Sequence, residues 1–191
     1  LDVRDSTQAA DLRAAYEEWL DNQQGLNPDP ALHQVWIEYV LADLLGFETE
    51  VLKPFANLDE EAQKRYSAIL PEHGETLQPT YAIVDLGALA TLRENLAPNA
   101  RLLVHVLPPD QKLDAALKGS TWSASPAARM QELLHAADVR LGLLTNGEQW
   151  MLVDAPRGET TGYISWYAEL WFDEPVTLRA FTTLLSGYRF F

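Results

Sequence analysis

Cysteine is missing altogether. That absence excludes disulfides, thiolate zinc sites and cysteine nucleophiles in one step, and it suits a reducing compartment. Basic residues are scarce: 14 Lys and Arg stand against 28 Asp and Glu, for a formal charge of -14. The average surface therefore repels a phosphate backbone, and any contact with DNA has to be local or indirect, made through another domain. Long apolar runs are lacking as well. No stretch approaches the roughly 18 to 20 uninterrupted apolar residues that span a bilayer, and the amino terminus has no basic region leading into an apolar one. The expectation is a cytoplasmic protein with no membrane partner. Gly-rich phosphate loops and the serine elbow of hydrolases do not occur, and His33, His73, His105 and His135 are never within metal-ligand spacing of one another.

What is present is enough for one compact domain: 191 residues, 47% hydrophobic, with six Trp, seven Tyr and six Phe. The start at Leu1 and the stop at Gly187-Tyr-Arg-Phe-Phe191 read as a piece, residues 1–191, of a longer protein.

Periodicity places the elements. Asp5 or Ser6 is expected to cap a helix carrying Ala9, Leu12, Tyr16, Trp19 and Leu20, closed by Gly25. A second helix is expected over about 31–45, with Leu32, Val35, Trp36, Val40, Leu44 and Leu45 as its apolar face and Gly46 at its end. Residues 59–68 are a third candidate, opened by the acidic group Asp59-Glu60-Glu61, which the helix dipole favours at that end. The period then shortens. Tyr81–Asp85 and Arg101–Leu107 read as strands, the second apolar enough to be covered on both faces. Ser125-Pro126 opens a helix to about Ala137. Arg140–Asp154 reads as one hairpin turning at Thr145-Asn146-Gly147, 163–172 as a further strand, and 175–185 as a last helix. This order predicts an α/β domain, a mixed central sheet flanked by helices.

Certain of these segments carry a resemblance: Trp36-Ile-Glu-Tyr-Val-Leu-Ala-Asp-Leu-Leu-Gly46, Pro79-Thr-Tyr-Ala-Ile83, Arg101–Leu107 with Pro109-Asp-Gln-Lys-Leu-Asp114, and above all Leu141-Gly-Leu-Leu-Thr-Asn-Gly-Glu-Gln-Trp150. Over most of its length the chain resembles the amino-terminal nuclease-like domain, of PD-(D/E)xK fold, of type IIG restriction-modification DNA methylases and related phage-defence methyltransferases. The resemblance implies a restriction-endonuclease-like fold. It also implies where a magnesium site should be. The family has proline-aspartate opening the first strand and Glu-x-Lys on the second, and this chain has Pro79-Thr80 and His105-Val106-Leu107 there. Threonine gives no charged ligand, leucine no ammonium, and imidazole is a poor partner for a hard magnesium ion. The implied outcome is a nuclease fold with its inherited catalytic positions Thr80, His105 and Leu107 degenerate, and no cofactor or metal of its own.

A displaced magnesium site would draw on Glu38, Asp85, Asp110 and Lys112, the last two spelling an acid-x-lysine in Asp110-Gln-Lys112. Pro108-Pro109 puts that tripeptide beyond the strand end. His105 is expected to be a hydrogen-bonded strand residue, His73 and His135 surface residues, and Trp36, Trp150, Trp166 and Trp171 packing rather than base-stacking groups.

Three functions follow as expectations. The first is a degenerate accessory domain of a restriction-modification or phage-defence methyltransferase, whose parent binds S-adenosylmethionine and whose partners are the parent's other domains. The second is an active magnesium-dependent endonuclease using the displaced acids. The third is an acidic protein-interaction module. Methyl transfer itself needs an Asn-Pro-Pro-aromatic motif and a glycine-rich cofactor loop, and these 191 residues hold neither.

Overall fold

The computed structural model describes residues 3–85, 99–117, 119–120 and 122–190, with the side chains of 3–6 left aside. Its centre is a six-stranded mixed sheet flanked by helices, which fits a restriction-endonuclease-like α/β arrangement in a single domain. The chain runs α1 (Val3–Gln24), α2 (Pro30–Tyr39), β1 (Leu52–Pro54), α3 (Glu60–Arg65), β2 (Ala68–Leu70), β3 (Glu75–Leu77), β4 (Tyr81–Val84) and β5 (Ala100–Val106). It continues through α4 (Pro126–Ala137), β6 (Leu141–Thr145), β7 (Gln149–Asp154), β8 (Gly162–Tyr167), α5 (Leu170–Asp173) and α6 (Pro175–Leu185).

Strand order across the main sheet is β1-β4-β5-β6-β7-β8. Neighbours are antiparallel except β5 and β6, which run parallel with Leu102 opposite Leu141 and Val106 opposite Thr145. Parallel neighbours need a crossover, and α4 supplies it. Its start is built locally: the Ser125 hydroxyl accepts from the Ala128 N–H at 3.3 Å, and Pro126 occupies the first turn, where a missing N–H costs nothing. Met130, Leu133, Leu134 and Ala137 then fall on one buried stripe against the sheet.

Side-chain alternation gives the sheet two cores. On one face Tyr81, Ile83, Leu102, Val104, Leu143, Trp150 and Trp166 meet Trp19, Trp36, Trp171 and Phe181 from α1, α2, α5 and α6. On the other, Ala82, Val84, Leu103, Leu107, Leu144 and Met151 meet α4, α3 and the small β2–β3 ribbon. The four tryptophans expected as packing residues, at 36, 150, 166 and 171, are 1%, 0%, 6% and 2% exposed.

Several boundaries differ from the sequence reading. Helix α1 begins at Val3, so Asp5 and Ser6 lie inside it, and a cap from their side chains falls outside what is described. Helix α2 does not run on to Leu45 with one pitch. At Val40–Leu44 it widens into a π-type turn, with the Leu45 N–H donating to the Val40 carbonyl at 3.0 Å. Ile37 and Leu41 lie in the core, while Val35, expected on the apolar face, is 58% exposed. The third helix is shorter than expected, capped by Asp59 through the Ala62 N–H at 2.8 Å. Trp171 and Phe172 belong to α5 rather than to a strand, and the three-residue strands β1, β2 and β3 are additions.

Candidate functional site

Thr80, His105 and Leu107 come together. Thr80 shares the parity of Ala82 on β4, and His105 and Leu107 share that of Leu103 on β5, so all three belong to the α4 side of the sheet. Each is already engaged in structure. The Thr80 N–H donates to the Val104 carbonyl at 2.7 Å, and its Oγ1 accepts from the Val106 N–H at 2.9 Å, which locks the entrance of β4 to the end of β5. Leu107 is 4% exposed, its N–H donating to the Thr145 carbonyl at 2.8 Å.

Beside them lies a cavity of about 420 Å³, lined by Pro79, His105, Leu107, Leu133 and Leu144, and closed on the α4 side by Arg129 and Glu75. Arg129 is 8% exposed although charged. Its guanidinium forms an ion pair with the Glu75 carboxylate, donates to Ser120 Oγ at 2.5 Å and to the Trp122 carbonyl at 2.9 Å, and its Nε donates to the Ala124 carbonyl at 3.2 Å. The same guanidinium lies 4.6 Å from the centre of the Trp122 ring, whose other side stacks on His73 at 4.4 Å. His73, expected at the surface, is therefore half-buried in this stack. The hydrogen bonds from Arg129 and Ser120 hold the Glu75 carboxyl below the usual carboxylate range. A fixed organic cation thus stands at the edge of the cavity.

His105 is hydrogen-bonded to the Gln78 backbone carbonyl, as expected of a strand residue, while its Nδ1 is buried and has no partner among the described residues. Burial pushes its pKa down, the Gln78 backbone carbonyl opposes this, and the Arg129 charge adds to it. His135, also expected at the surface, is half-buried with Nε2 unpartnered among the described residues.

The displaced candidates are not brought together. Glu38 lies on the opposite face of the sheet, where its Oε1 accepts from the Tyr81 hydroxyl at 3.0 Å and from Gln34 at 2.8 Å. Burial, then the Glu38 carboxylate, pushes the Tyr81 phenol up. Asp85 sits where β5 begins, its N–H donating to the Asn99 carbonyl at 2.9 Å and its carboxylate paired with Arg101 at 2.6 Å. Asp110 and Lys112 are exposed in the loop past the other end of β5. Seven residues of strand put roughly 20 Å between those ends, whereas oxygens sharing one magnesium must each lie about 2 Å from it. No group of three His, Asp or Glu side chains suited to a metal occurs among the described residues.

The Thr145-Asn146-Gly147 turn organises this end of the fold. Asn146 Oδ1 accepts from the N–H groups of Glu148 and Gln149 at 3.1 and 2.8 Å, and its Nδ2 donates to the Gln111 carbonyl at 2.9 Å, tying down the loop after β5. The Gly147 N–H donates to Thr145 Oγ1 at 2.9 Å, and its carbonyl accepts from two indoles, Trp36 at 2.8 Å and Trp150 at 3.2 Å. Glu148 accepts from the Tyr16 hydroxyl at 2.7 Å and the Glu169 N–H at 3.0 Å, joining α1 and α5 to the same turn. Alongside runs a second relay: Trp19 Nε1–H donates to His33 Nδ1 at 3.0 Å, and His33 Nε2 lies 3.0 Å from the Leu107 carbonyl. An indole can only donate, so His33 carries its proton on Nε2 and is neutral, in line with burial lowering its pKa.

The sequence reading missed Glu75, Ser120, Trp122 and Arg129. One signal was available. Arg129 stands one turn before Leu133 and two before Ala137, a charge on the apolar stripe of α4. No family model, curated protein or solved structure matches the chain.

Proposed function

We propose that the chain is a catalytically degenerate, nuclease-like accessory domain of a DNA restriction-modification or phage-defence methyltransferase. The observation that carries this reading is the convergence of Thr80, His105 and Leu107 on one face of β4 and β5, the last two lining a cavity. Those are the positions at which the resemblance implies a carboxylate, a second carboxylate and a lysine, and here they present a hydroxyl already bonded to Val106, an imidazole and an isobutyl group. A divalent cation needs charged oxygen donors that these groups do not supply. The domain's role is then to pack against the parent's methyltransferase or target-recognition regions, with DNA contacted locally or through them. S-adenosylmethionine would be bound by the parent outside these residues.

The endonuclease alternative requires Asp85 and Asp110 to share a cation, and the length of β5 separates them. The acidic-module alternative draws on the charge of -14 alone.

Cleavage and methyl transfer measured side by side on the full-length protein test the reading. Methyl transfer from S-adenosylmethionine to DNA is expected. Nicking of supercoiled plasmid with Mg²⁺ or Mn²⁺ is expected to be the same in the wild type and in the Asp85→Ala, Asp110→Ala double variant. Absence of methyl transfer, or nicking that the double variant loses, overturns it.

A further inference from the structure

The two edges of the main sheet are finished differently. At one edge β1 is three residues long and carries Lys53 and Pro54, the short, charged, proline-bearing build that keeps an edge from pairing with other chains. The other edge, β8, has none of these. Residues Gly162-Tyr-Ile-Ser-Trp-Tyr167 hold no charge and no proline, and the ladder to β7 runs from Tyr167 to Gly162 without a bulge. Tyr163, Ile164 and Tyr167 are 46%, 49% and 44% exposed.

Hydrogen-bond parity shows which backbone groups of β8 are free. The Gln149 carbonyl accepts from the Asn146 N–H at 3.3 Å and the Ala155 N–H donates to the Arg140 carbonyl at 2.9 Å, so the odd-numbered residues of β7 bond to β6 and the even-numbered ones to β8. The Ala168 N–H, which donates to the Glu148 carbonyl at 2.8 Å, continues that pattern on the β8 side. Gly162, Ile164 and Trp166 therefore bond to β7, and the N–H and C=O groups of Tyr163, Ser165 and Tyr167 point out of the sheet edge, where the described residues offer them no partner. The side chains of those three share the α4 face, on which the Tyr163 hydroxyl donates to Gln131 Oε1 at 3.2 Å, and Ile164 and Trp166 take the other face.

These outward groups are symmetric about Ser165. Laid antiparallel against a second copy, Ser165 meets Ser165, and Tyr163 and Tyr167 meet each other twice, every such pair exchanging both of its backbone bonds. Ile164 meets Trp166 on the opposite face, so aromatic and β-branched groups are paired across the two-fold axis and no charge lies within the paired strands. The area covered is on the order of 1,000 Å² over both copies, at the lower limit of specific interfaces, and the charge of -14 on each copy opposes association. Such a contact is reversible. We propose that β8 pairs with β8 of a second copy, antiparallel about Ser165, so that one sheet runs through both.

Sedimentation velocity on the 191-residue chain, at concentrations from about 5 to about 500 µM, is expected to show a monomer–dimer equilibrium. Ser165→Pro removes only an outward N–H, which an edge strand tolerates, and is expected to weaken the dimer about thirtyfold, the loss of two hydrogen bonds across the axis. Cysteine reads the register separately. The chain has none of its own, so Ser165→Cys oxidised with diamide is expected to cross-link two copies, since the paired Cα atoms would stand about 5.5 Å apart. Tyr163→Cys is expected not to, because its counterpart in the second copy lies roughly 13 Å along the strand. Should the proline variant fail to fold, the two cysteine variants still decide. A chain that stays monomeric over the whole range, its edge left to a strand of some other polypeptide, would overturn the proposal. So would a dimer that Ser165→Pro leaves intact, or cross-linking of Tyr163→Cys as readily as of Ser165→Cys.

Discussion

Gly147→Ala is expected to destabilise the domain by about 3 kcal/mol, the sum of a left-handed backbone that a Cβ disfavours and an overpacked neighbourhood. Both causes are visible. Gly147 has φ 92°, and a Cβ there would stand 2.6 Å from Trp19 Cζ2 and 3.0 Å from His33 Cε1. Neither ring is free to step aside, because Trp19 and His33 are hydrogen-bonded to each other and His33 to Leu107. Gly158→Ala isolates the first cause, since Gly158 has φ 78° with nothing within 4 Å of the added carbon. Urea denaturation should show Gly158→Ala costing about 1 kcal/mol, the backbone part alone. Equal losses in the two variants would show that the turn is not clamped between α1 and α2.

Arg129→Ala has the second large effect, about 2 kcal/mol, because it removes the buried member of a part-exposed ion pair and leaves polar groups without partners. Ser120 Oγ and the Trp122 carbonyl lose donors, and the Trp122 ring loses the cation stacked on it. The paired replacement Arg129→Met with Glu75→Gln is expected to recover much of that loss, since no charge is then left uncompensated. A double-mutant cycle read by denaturation checks this. Additive costs at the two positions would mean that the guanidinium acts through its stem rather than through its pairing with Glu75.

Both predictions lie where sequence and structure part company in instructive ways. The hairpin was legible because its signals are local: glycine for positive φ, asparagine for closing its own turn, alternation for the arms. Helix α4 was legible for the same reason, from Ser125 to Ala137. The π-type widening after Tyr39 was not, since it depends on how Ile37 and Leu41 seat in a core assembled from distant strands. Nor were β1, β2 and β3, whose three residues each are too few for a period to register. At the site, motif positions could be located but their surroundings could not. Glu75 and Arg129 are 54 residues apart, and no spacing rule joins them.

The hairpin motif also gains a physical meaning. Thr145, Asn146, Gly147 and Trp150 each make a bond that the turn needs, and Trp36 and Gln111 attach a helix and a loop to it. Those residues are explained by folding. They carry no argument for chemistry, which rests on positions 80, 105 and 107 alone.

Whether those positions hold a divalent cation is open to direct observation by titrating Mn²⁺ into the isotopically labelled protein and recording paramagnetic broadening of the Leu103, Leu107 and Leu144 methyl signals. The account predicts that these signals broaden no more than those of distant core methyls such as Leu12 and Leu185, even with excess metal. Saturable broadening centred on Leu107 at one ion per chain would contradict it.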